Sequence, residues 1–64
     1  MKILVKLSED QILDAGAEML DMSAFKFSAE GDMTAVVGSA GEIAFLIGEL
    51  DNMFDATALN LIVN

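Results

Sequence analysis

The chain has no cysteine, histidine, arginine, tryptophan, tyrosine or proline. Without Cys or His there is no thiol nucleophile, no imidazole base and no soft metal ligand, and neither a disulfide nor a zinc ribbon can staple the fold. Without Arg there is no guanidinium fork for phosphate or carboxylate. Most enzyme mechanisms lose their usual residues at this point, so a non-enzymatic protein is expected. Basic charge is scarce as well: three lysines stand against 11 acids, for a net charge of −8. Direct binding to DNA or RNA needs clustered cations and is not expected, and anionic lipid would repel such a surface. Long apolar runs are missing too. Ile43 to Gly48 is far shorter than the roughly 20 residues that span a bilayer. The N-terminal Ile3-Leu4-Val5 is too short for a signal-peptide core and is soon followed by acids, so a cytoplasmic location is expected.

What is present is apolar: 55% of the 64 residues are hydrophobic, the reverse of a disordered composition, so residues 1–64 should fold as one domain on packing alone. Lys2 to Leu7 alternates, with Ile3, Val5 and Leu7 on one face, and reads as a strand. Ser8-Glu9-Asp10-Gln11 reads as a capping box with Leu7 and Ile12 at the staple positions. From it Ile12, Leu13, Gly16, Met19 and Leu20 recur at helical spacing to about Met22, a helix of about four turns. Ala24 to Glu30 reads as a second strand with Phe25 and Phe27 inward, Glu30-Gly31-Asp32 as a turn, and Met33 to Val37 as a third strand of the same hairpin. A second capping box, Ser39-Ala40-Gly41-Glu42, opens a helix whose buried stripe is Ile43, Leu46, Ile47, Leu50, Met53 and Phe54, with Asp51-Asn52 as a fraying point. Thr57 to Val63 alternates as a terminal strand.

The order is βαββαβ. A shift of 31 places superposes Val5 on Val36, Ser8 on Ser39, Gln11 on Glu42, Ile12 on Ile43, Glu18 on Glu49 and Met22 on Met53. A duplicated βαβ unit predicts an α+β, ferredoxin-like fold: a four-stranded antiparallel sheet with two helices on one face. The rival is a looser α+β arrangement without a regular strand at Ala24 to Glu30. Gly16 and Gly48, inside the helices, are expected to mark close packing, and Met19, Met22 and Met53 to fill gaps in the core.

Nine of the 11 acids fall in the helical segments, which hold no lysine, whereas Lys2, Lys6 and Lys26 lie on the first two strands. Asp10, Asp14, Glu18 and Asp21 follow an i, i+4, i+8, i+11 path, one stripe along a continuous helix. Like charges so placed oppose the helix by a few tenths of a kcal/mol per pair, which points to another demand on the surface. Four helical residues advance about 6 Å, a pitch of the order of phosphate spacing along a strand. With Glu42 and Glu49 the stripe forms the candidate partner-binding set. The competing explanation is a solvated face that serves solubility. Asp51-Asn52-Met53-Phe54-Asp55 lacks the oxygens and central glycine of a calcium loop, and Gly38-Ser39-Ala40-Gly41 lacks a phosphate-binding lysine, so no metal or cofactor is expected.

In size, acidity and the stripe Asp10, Asp14, Glu18, Asp21 with Glu42 and Glu49, the chain resembles phage-encoded inhibitors of the DNA-mimic kind, anti-CRISPR proteins among them. The resemblance implies a basic nucleic-acid-binding protein as partner, bound and inhibited through the acidic face by a monomer or weak homodimer. A different reading starts from the sheet's open face, where Leu4 and Ile62 would be exposed. On that reading the chain is a homodimeric interaction or ligand-sensing module whose acids merely face solvent.

Overall fold

A computed structural model describes residues 1–64. Strand β1 (Lys2–Val5) leads into helix α1 (Glu9–Gly16), then a 3-10 turn at Met22–Ala24, strands β2 (Lys26–Glu30) and β3 (Met33–Val37), helix α2 (Ala40–Met53), the short helix α3 (Ala56–Leu59) and strand β4 (Ile62–Val63). The fold is α+β, with one open four-stranded sheet in the order β2-β3-β1-β4. Every neighbouring pair is antiparallel.

Strand parity divides the residues between two faces. Ile3 pairs with Val36, and both are fully buried with Val5 against Ile12 and Ala15 of α1 and Ile43, Leu46 and Leu50 of α2. Both helices therefore cover the same face. The other parity, Lys2 with Val37 and Leu4 with Ala35 and Ile62, forms the open face. The parity of β3 is thus set with Thr34 and Val36 toward the helices. The Thr34 hydroxyl donates to the Leu7 carbonyl at 2.6 Å, pinning the β1–α1 connection. Backbone bonds from Lys6 N–H to Leu59 O and from Asn64 N–H to Lys2 O extend the contact of β1 with the C-terminal segment on either side of β4.

Both helix starts follow their caps. Ser8 Oγ accepts from Gln11 N–H at 3.2 Å and Gln11 Oε1 accepts from Ser8 N–H at 2.9 Å, a complete capping box. At α2 the reciprocal half differs. Ser39 Oγ accepts from Glu42 N–H but donates its own proton to the Glu42 carboxylate at 2.7 Å.

Several expectations need correction. The first helix stops at Gly16 and does not reach Met22: its continuation is a turn in which Met19 and Leu20 N–H both donate to Gly16 O. Glycine weakens the helix there by about 1 kcal/mol relative to alanine. The competing structure downstream is specific, because the Asp21 carboxylate accepts from both the amide and the hydroxyl of Ser23 and closes the 3-10 turn. That turn takes Ala24 out of the second strand, which begins at Lys26. Asp55 does the same near the C-terminus. Its carboxylate accepts from Ala58 N–H at 2.8 Å and caps α3, so β4 is two residues and not the stretch from Thr57. Asp51-Asn52 is helical, with no break. Met19 and Met53, 60% and 59% exposed, are surface residues, whereas Met22 is half-buried. Gly16 does mark close packing, since a Cβ there would meet Met22 Sδ at 2.6 Å and Leu46 at 3.5 Å. Gly48 does not, because nothing lies within 4 Å of it.

Candidate functional site

Of the six acids singled out in the sequence, the four from Asp10 to Asp21 do not form the expected helical row. Asp10 and Asp14 lie one turn apart on the exposed face of α1, opposite the buried Ile12, Ala15 and Gly16. Glu18 sits in the turn beyond the helix, exposed, and Asp21 caps the 3-10 turn. The stripe from Asp10 to Asp21 is therefore broken at Gly16, because the i, i+4 rule applies only while the helix lasts. Glu42 and Glu49 lie seven residues apart on α2 and are half-buried at the margin of its apolar stripe. Glu42 is in addition engaged by the Ser39 hydroxyl.

The carboxylate of Asp21 is held below the usual carboxylate range, chiefly by the hydrogen bond from the Ser23 hydroxyl and then by the one from the Ser23 amide. It keeps its negative charge to lower pH than an unpartnered aspartate.

The sequence signal that survives best is the separation of charge. Lys2 and Lys26 flank Val37 in one row across the open sheet face, and Lys6 continues the parity of β1. The two ion pairs of the molecule, Lys2 with Glu30 and Lys6 with Asp32, belong to this side. The remaining nine acids, from Glu9 to Asp21 and from Glu42 to Asp55, share their helices and connections with no lysine. The strands and their hairpin turn are near neutral in sum, and the helical segments carry nine acids and no cation.

One feature escaped the sequence reading. Phe45 is 47% exposed on α2, with Glu42 three residues before it and Glu49 four after, so an aromatic ring stands on the same flank as two acids. Its absence from the stripe of Ile43, Leu46, Ile47 and Leu50 was the available signal. The outward face of α2 around it is otherwise small and uncharged, with Gly41, Ala44 and Gly48. The open sheet face, expected from the sequence to expose Leu4 and Ile62, does expose Ile62, together with Val37, whereas Leu4 is half-buried and Ala35 buried. The surface has no pocket, no group of three or more acids is placed to hold a metal ion, and no helix is long and apolar enough to cross a membrane.

The chain matches no family model, no curated protein and no solved structure.

Proposed function

We propose that this chain is a small non-enzymatic binding protein that occupies the basic, nucleic-acid-binding surface of a partner protein and inhibits it, its carboxylates standing where phosphates would lie. One observation carries the reading: nine acids share the helical side with no cation, while all three lysines lie on the sheet strands or at their ends. A surface selected for stability alone would intersperse both signs. A side with nine acids and no cation speeds encounter with a basic groove and makes the association salt-dependent. The resemblance to phage-encoded DNA-mimic inhibitors points the same way. The fold in this proposal is ferredoxin-like, a reading supported by the order β2-β3-β1-β4 with antiparallel neighbours and by both helices on one face.

Asp10, Asp14, Glu18 and Asp21 are the exposed charges of the contact, Glu42 and Glu49 are half-buried charges on α2, and Phe45 between those two in sequence is its aromatic anchor. Aromatic side chains, Phe among them, are enriched at the cores of protein interfaces. The test is a pull-down from host lysate with the immobilised chain, eluted first by a salt gradient and then by duplex DNA. One basic nucleic-acid-binding protein should be released by DNA. Reversing Asp10, Asp14 and Glu18 to lysine should abolish its retention while circular dichroism stays unchanged. Asp21 is left out of the triple variant because it also caps a turn. Undiminished retention by the variant would overturn the proposal.

A further inference from the structure

We propose that β2, at the free edge of the sheet, pairs antiparallel with β2 of a second copy about a two-fold axis at Ser28, setting Lys26 of each copy opposite Glu30 of the other. The inference does not depend on the partner proposed above.

The edge is open and regular. β2 is the outermost strand beside β3, holds an unbroken register from Lys26↔Val37 to Glu30↔Met33, and contains no proline, glycine or bulge. The hairpin turn has two residues, Gly31 and Asp32, with Gly31 at φ +65°, so Glu30 and Met33 form the hydrogen-bonded pair next to it. By alternation Lys26, Ser28 and Glu30 direct their backbone groups to β3, while Phe27 and Ala29 present theirs outward. These two residues flank Ser28 symmetrically. In a pair centred on Ser28, Phe27 of one copy exchanges both bonds with Ala29 of the other, twice over. Ser28 meets Ser28, and Lys26 meets Glu30 in the non-hydrogen-bonded positions where side chains stand closest.

Charge selects this register. Centring the pair on Phe27 sets Lys26 against Ser28, and centring it on Ala29 sets Glu30 against Ser28, so only the Ser28 axis matches both charges. Charged residues on an edge ordinarily discourage pairing, but opposite signs placed evenly about the midpoint make this edge complementary to itself. Lys26 has no carboxylate partner within its own chain; Glu30 is engaged by Lys2 through Oε2, so the contact with Lys26 of the other copy falls to its Oε1. The pairing joins the two sheets into one of eight strands and leaves both acidic helical layers on the same side. Repulsion between two chains of net charge −8 and the small area of a five-residue edge keep the dimer weak and strengthen it with added salt.

Sedimentation of the full chain from about 10 µM to about 1 mM, near physiological salt, tests the pairing. A monomer–dimer equilibrium is expected. Lys26→Glu alone and Glu30→Lys alone should each weaken it at least about tenfold, since both cross-strand pairs become like-charged. An equimolar mixture of the two variants should recover a heterodimer, because one chain then brings only carboxylates to the two charged positions of β2 and the other only ammonium groups, so opposite signs meet at both pairs. Ala29→Pro, which removes an outward amide and no bond to β3, should abolish the dimer with an unchanged circular dichroism spectrum. A monomer at every concentration would overturn the proposal. So would a dimer that tolerates both reversals, which would place the contact on the open face at Val37 and Ile62, or a mixture that fails to associate.

Discussion

An alanine at Gly48 and an alanine at Gly31 should move stability in opposite directions, for reasons local to each backbone. Gly48 sits in the exposed interior of α2 with no atom within 4 Å of a would-be Cβ, so Gly48→Ala should stabilise by up to about 1 kcal/mol. Gly31 has φ +65° at the hairpin turn, a conformation that costs an L side chain about 1–2 kcal/mol, and Gly31→Ala should destabilise by that order. Urea unfolding of the two variants beside the parent checks both signs. Asp21 supplies a prediction in pH. Its folded pKa lies below its unfolded value, so its contribution to stability is complete above the ordinary carboxylate range and is lost as pH falls through the folded pKa. A carboxyl NMR titration should find Asp21 among the last acids to protonate, and Ser23→Ala should return it toward the usual value by removing the largest cause of the shift.

Among the elements, the starts of α1 and α2 and the turn and third strand of the hairpin were legible, whereas the end of α1 and the starts of β2 and β4 were not. Ser8 and Ser39, 31 residues apart, cap the two main helices, and Ile12 and Ile43, at the same separation, are fully buried. Caps act over three residues and are written locally, so a sequence displays them. The helix end at Gly16 and the loss of Thr57 to Leu61 from the last strand go with Asp21 and Asp55 using their carboxylates as caps, contacts as local as those of Ser8 and Ser39 but lying inside stretches whose apolar spacing also fits a longer helix and a longer strand. Asp55→Ala should therefore destabilise by roughly 0.5–2 kcal/mol through loss of the α3 cap, which a thermal melt would register. Ile43→Ala is the contrasting case: its side chain is fully buried between helix and sheet, and the cavity should cost about 2–5 kcal/mol.

At the scale of the molecule, nine acids on one side meet no cation, and only two ion pairs hold the opposite side. Self-repulsion then outweighs ion pairing, and added salt should raise the melting temperature by screening it. A melting temperature that falls with salt would show that Lys2–Glu30 and Lys6–Asp32 matter more than the acidic side. Phe45 lies on the helix that carries three of these acids. It is an exposed ring on the flank that carries Glu42 and Glu49, so Phe45→Ala should leave stability within about 0.5 kcal/mol while weakening partner retention in the pull-down.

Composition and periodicity by themselves determined that the chain is α+β, where its two main helices begin, and that its charge is divided between helices and strands. These properties follow from burial and from contacts three or four residues apart. Only the tertiary structure decided that Asp10, Asp14, Glu18 and Asp21 are not one row, that Met19, Met53 and Phe45 face solvent, and that Lys26 and Glu30 lie on a free edge. Each of these depends on which distant segment packs against a residue, and Ile12 and Ile43 settled that by drawing both helices onto a single face of the sheet.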